Sequence, residues 1–146
     1  MPPRAQSAST VAVDLEPGST CQVLVVEDDF DSAEMLCIWI EQAGHACRVA
    51  LSASEARAVI EDFTPDVALV DIGLPGESGY DLLESLKSSG ALGACRFIAM
   101  TGYTGSDLAK LSVDAGFEAH LTKPVSVDLL LGVLDRCAGD LSARLA

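Results

Sequence analysis

Five short apolar runs, each followed by a stretch with helical spacing, constrain this chain more than any other feature. The runs are "CQVLVV" (21–26), "HACRVA" (45–50), "DVALV" (66–70), "CRFIAM" (95–100) and "EAHL" (118–121). Three are continuously apolar at strand length, as central parallel strands covered on both faces should be. The intervening stretches read as five helices. In the first, Ala33, Leu36, Cys37 and Ile40 form a core stripe and Gly44 ends it. In the second, Ser52 and Glu55 make a capping box, Ala53, Ala56, Ile60 and Phe63 mark one face, and Pro65 is the stop. Leu108, Leu111 and Ala115 repeat the pattern before Gly116, and Val127, Leu130, Leu131, Leu134, Ala138 and Leu141 carry it through the last helix. Strict β-α alternation predicts an α/β doubly wound domain, a parallel sheet with helices on both faces and right-handed crossovers. No internal repeat or second domain is visible.

Length and composition agree with one folded unit. The 146 residues are 49% hydrophobic and only 21% charged, enough to bury a core and unlike a disordered tail. Residues 1–19, rich in Pro, Ser and Ala and ending in "EPGST", are expected to be a flexible extension, and the domain is expected to occupy 20–146. Twenty-two acidic against nine basic residues give a net charge of −13, which argues against nucleic acid or anionic lipid as a partner. No run approaches the roughly 18 apolar residues of a membrane span, and the N-terminus lacks the apolar core of a secretion signal, so a cytoplasmic location is expected. Cys21, Cys37, Cys47, Cys95 and Cys137 are odd in number and form no C-x-x-C pair, so they are read as small hydrophobes rather than as redox or zinc ligands.

In a doubly wound sheet ligands bind at the carboxyl ends of the strands. There the first run ends in Glu27, Asp28 and Asp29, the third in Asp71, the fourth in Thr101 and Gly102, and the fifth in Thr122, Lys123 and Pro124. One terminal Asp is commonly a helix cap. Asp71, however, is separated from its helix by several loop residues, and Glu27 with Asp28 is too many for one cap. Carboxylates about 4 Å apart repel by about 4 kcal/mol per pair at an effective dielectric of about 20, so the cluster calls for a cation. Hard oxygen donors suit Mg²⁺. Lys123 adds a mobile point charge suited to a phosphoryl oxygen, and Thr101 a neutral hydroxyl. A metal, a carboxylate nucleophile, an ammonium and a hydroxyl are the parts needed to accept a phosphoryl group as an aspartyl-phosphate. Asp71, alone in its loop and central in the sheet, is the best nucleophile.

These residues carry a family likeness. Through "VLVVEDD", "VDIGLPGESGYDLL", "IAMTGYTG" and "HLTKPV", in the expected order and spacing, the chain from about Cys21 to Ala143 resembles the receiver domain of two-component response regulators. The resemblance implies a flavodoxin-like, five-stranded parallel sheet in the order 2-1-3-4-5. It implies that Glu27 and Asp28 are the acidic pair, with Asp28 the direct Mg²⁺ ligand, and that Asp71 is the phosphoacceptor. Gly73 would give a backbone carbonyl to the metal, Thr101 would be the switch hydroxyl, Lys123 would contact the phosphate, and Pro124 would follow a cis peptide. Asp29 is left outside the metal shell. One departure stands out: His120 occupies a place where receivers often carry Tyr or Phe as the second half of the switch. Tyr103, two residues after Thr101, is expected to screen the phosphoryl group from water.

The implied function is that of a stand-alone phosphoacceptor taking phosphoryl from a sensor histidine kinase or histidine phosphotransfer protein and signalling to an unknown downstream protein. It would be no enzyme beyond its own phosphorylation and slow dephosphorylation, and a monomer or weak homodimer. Met35 and Trp39, four apart on the first helix, offer a docking face or the rim of the core; Leu129 and Val133 broaden the apolar face of the last. A Mg²⁺-dependent aspartyl-phosphate phosphohydrolase is the enzyme alternative. It is disfavoured because dehalogenase-like phosphatases carry a second Asp where this chain has Gly73. Flavin binding is opposed by three acids where a cofactor phosphate would sit. A phosphorylation-independent interaction module is disfavoured because every residue for phosphorylation is present.

Overall fold

A computed structural model describes residues 20–90, 92–102 and 116–145. Strand β1 (Gln22–Val26) leads into α1 (Phe30–Gln42), β2 (Ala46–Ala50) into α2 (Ala53–Val59), and β3 (Val67–Asp71) into α3 (Gly79–Ser89). Strand β4 (Arg96–Thr101) and, further on, β5 (Ala119–Thr122) and α4 (Val127–Leu145) complete the described elements. The strands form one parallel sheet in the order β2-β1-β3-β4-β5. The doubly wound topology and strand order therefore hold. The residues predicted to form a helix around Leu108, Leu111 and Ala115 lie outside the described residues, as do Tyr103 and the 1–19 extension.

Local chemistry accounts for the helix boundaries. Asp29 caps α1, its side chain accepting from the Ser32 N–H; Ser52 accepts from Glu55 N–H at α2, and Ser78 from Asp81 N–H at α3. The Glu55 side chain reaches back to the Leu51 N–H at 2.8 Å, one residue earlier than a standard capping box. Helix α3 ends at Gly90, whose φ of 71° is the left-handed conformation that favours glycine.

Two apolar cores, one on each face, sandwich the sheet. Ala33, Leu36 and Ile40 of α1 pack with Leu130, Val133 and Leu134 of α4 against Val23, Val25 and Leu69. On the other face Ala53 and Ala56 of α2 pack with Leu82, Leu83 and Leu86 of α3 against Leu24, Ala68 and Val70. Strand β3 is buried along its whole length, which is why its sequence reads as an unbroken apolar run. Cys37, predicted in the core stripe, is only half-buried and its thiol meets that of Cys47. Of the two residues read as broadening the apolar face of the last helix, Val133 belongs to the core and Leu129 is exposed. All five cysteines are free, and burial pushes the Cys21 and Cys95 thiols up to about 12, which makes them poor nucleophiles. Among the described residues no helix is long and apolar enough to cross a membrane.

Candidate functional site

The strand order reverses between β1 and β3, and the acidic residues collect at the carboxyl end of that switch point. Parallel register brings the strand ends level. Asp71 pairs with Met100 and Thr101 with Thr122, while the Lys123 N–H donates to the Thr101 carbonyl at 2.7 Å. Asp71 and Thr101 are the last residues of their strands, so the sheet itself fixes their backbones.

One ligand oxygen from each of Glu27, Asp28 and Asp71 lies within 4.8 Å of the others. Glu27 is 1% exposed, Asp71 6% and Thr101 2%, whereas Asp28 faces solvent. Lys123 Nζ sits between two of the acids, donating to Asp71 Oδ2 at 2.9 Å and pairing with Glu27 Oε1. The Gly73 N–H donates to Asp71 Oδ1 at 2.8 Å, and the Asp29 N–H to Glu27 Oε2 at 3.0 Å. Both carboxylates are thereby held in fixed rotation. All of the predicted residues Glu27, Asp28, Asp71, Gly73, Thr101 and Lys123 lie at this one end of the sheet, and the Lys123–Pro124 peptide is cis. Asp29 is engaged in capping α1. His120 is exposed on β5.

The electrostatics of the pocket favour a cation. Burial raises the Glu27 carboxyl above its ordinary range; hydrogen bonds from Lys123 and the Asp29 backbone oppose this, and the Asp71 charge adds to it. At Lys123 burial works against the charged form, but bonds to Glu27 and Asp71 outweigh it and the ammonium titrates above its usual value. Three carboxylates and one ammonium leave an excess of negative charge in a partly dry pocket. An all-oxygen donor set of this kind fits Mg²⁺.

Beside the acids, a groove of about 590 Å³ runs between α1 and the segment after β5. Met35, Leu36, Trp39 and Val125 line it, with Glu27 and Lys123 at one end. Nothing in the sequence marks Val125 as a neighbour of Met35. They line one groove because α1 and α4 share one face of the sheet.

Comparison with known proteins gives concordant matches. The family model described as the response regulator receiver domain matches residues 23–135. The chain is 34% identical over 104 residues to the phosphate regulon transcriptional regulatory protein PhoB of Pseudomonas aeruginosa, an alignment covering 71% of this chain and 45% of that protein. It is 32% identical over 108 residues to the cyclic di-GMP phosphodiesterase of Thermotoga maritima, covering 74% of this chain and 28% of that one. The chain thus spans less than half the length of these two curated relatives. A solved CheY-like receiver domain from Methanospirillum hungatei superposes with a TM-score of 0.74 at 29% identity, over 84% of this chain and 97% of that one.

Proposed function

The chain belongs to the response regulator receiver domain family of two-component systems, and from that premise we propose that Asp71 accepts a phosphoryl group from a phosphohistidine in a Mg²⁺-dependent reaction. The observation that carries this reading is the single ammonium of Lys123 bridging Glu27 and Asp71 beside Asp28 at one lip of the sheet. Mg²⁺ would be held by Glu27, Asp28, Asp71 and the Gly73 carbonyl, and would offset the carboxylate charge and that of the incoming phosphoryl oxygens.

The chain's own groups do the rest. A carboxylate oxygen of Asp71 forms the new P–O bond as the P–N bond to the donor imidazole breaks, the electron pair remaining on that ring nitrogen. Gly73 N–H orients the carboxylate before attack. Lys123, already on Asp71 Oδ2, follows the charge onto a phosphoryl oxygen. The Thr101 hydroxyl then turns toward the phosphoryl group, and this shift of population is the signal. The donor, a histidine kinase or histidine phosphotransfer protein, lays a helical surface against the groove of Met35 and Trp39, which places its phosphohistidine at the Lys123 end.

Incubation with acetyl phosphate and Mg²⁺, followed by intact mass measurement, tests the reading. Wild type gains one phosphoryl increment and Asp71→Asn gains none. Equal uptake by both proteins, or none by wild type, overturns it.

A further inference from the structure

Arg57 lies on α2, outside the phosphorylation machinery, yet its guanidinium spans two other elements. Nη1 donates to Glu77 Oε1 at 2.8 Å and Nη2 to Glu77 Oε2, a bidentate pair; Nε and Nη2 also donate to Ser85 Oγ at 3.3 and 3.0 Å. Glu77 belongs to the loop that runs from Asp71 to α3, and Ser85 to α3 itself. The near end of that loop is fixed by the site: Ile72 N–H donates to Met100 O at 3.0 Å and Gly73 N–H to Asp71 Oδ1. Between these anchors Leu74 is buried in the core while Pro75 and Gly76 are exposed, and Gly76 has a φ of +80°. Glu77 is where a third element takes hold of the loop.

We propose that Arg57 is a positioning residue: by clamping Glu77 to α2 and α3 it fixes the loop that carries Gly73, and so sets the affinity of the acidic pocket for the divalent cation. A forked pair fixes both the place and the plane of the carboxylate, which a single point contact does not. Both partners are partly buried, with about a third of each side chain exposed (39% and 33%), so the contribution is that of a well-formed pair near the surface and the expected effect is modest.

The inference rests on the proposed reading of the site, and its sign separates it from simple electrostatics. If Arg57 and Glu77 acted only through their charges, Arg57→Met would tighten Mg²⁺ binding, Glu77→Gln would weaken it, and Arg57→Lys would leave it unchanged. If they act as a clamp, all three weaken it, by about two- to fivefold. The measurement is a Mg²⁺ titration of the full chain by calorimetry or by fluorescence of Trp39, the one tryptophan, with metal-free thermal melts run alongside. Weaker binding in all three, including those whose metal-free melting matches wild type, is the expected result. Should Arg57→Met fail to fold, Glu77→Gln and Arg57→Lys carry the same test. Affinities equal to wild type, or changes of opposite sign in Arg57→Met and Glu77→Gln, overturn the clamp while leaving the site reading intact. A wild type that neither binds Mg²⁺ nor takes up phosphoryl overturns the site reading, and the clamp with it.

Discussion

At the scale of single residues, two buried ionisable groups are held in opposite ways. Glu27 keeps its place through an ammonium and a backbone N–H. His45, 4% exposed, keeps its place by being neutral: Nδ1 accepts the Cys21 N–H at 3.1 Å, which puts the ring proton on Nε2. Burial holds the imidazole below its ordinary pKa, against a smaller upward pull from Asp135. The unfolded chain therefore binds the proton first, at about pH 6.5. The stability this confers is fully present above that value and is lost as the pH falls through the lowered folded value, at up to about 1.4 kcal/mol per pH unit. Urea unfolding of wild type and His45→Gln between about pH 7.5 and 5 checks this. Wild type should lose stability faster on acidification, and parallel curves would reject the assignment.

At the scale of elements, two helical glycines have opposite consequences. A Cβ on Gly79, the first residue of α3, would lie 2.7 Å from the Asp71 carbonyl oxygen and 2.7 Å from Ile72 Cα, both backbone atoms that cannot swing away. Gly79→Ala should cost about 1–3 kcal/mol and push Asp71 out of register. Gly132, exposed in α4, would meet nothing within 4 Å, and Gly132→Ala should stabilise by about 0.5–1 kcal/mol through helix propensity alone. Thermal melts of the two variants should move in opposite directions; a shared direction would contradict the packing argument. The close approach at Gly79 could not be read from "ESGYDLL", which declares a capped helix but not what its first turn touches. The three central strands were legible because burial on both faces leaves unbroken apolar runs. Asp71 and Thr101 close their strands despite their polarity because both continue the ladder. Glu27, Asp28, Asp71 and Lys123 were legible as a group because parallel topology alone sends the ends of β1, β3 and β5 to one side. The Arg57–Glu77 pair was not, since a contact across 20 positions carries no period. The family likeness supplied the strand order and the Gly73 carbonyl, which spacing does not encode.

At the scale of the whole molecule, packing and charge work against each other. Two apolar cores clamp the sheet from both faces and hold β1 and β3 side by side, and this is what forces Glu27, Asp28 and Asp71 together in a chain that already carries −13. The fold thus gathers like charge at its edge, and on the proposed reading a divalent cation binding only the folded state would relieve it. Linkage fixes the size of that relief: at free Mg²⁺ ten times the dissociation constant, folding gains about 1.4 kcal/mol. Asp28 is exposed and contributes to no core, so Asp28→Asn removes repulsion without opening a cavity. The metal-free variant should melt at or above wild type, and most of the Mg²⁺-dependent gain should vanish. Chelator-treated and Mg²⁺-loaded melts of both proteins separate the two effects: an Asp28→Asn protein that melts lower without metal, or that gains as much from Mg²⁺ as wild type does, would mean that the acidic lip is not where the fold and the cation meet.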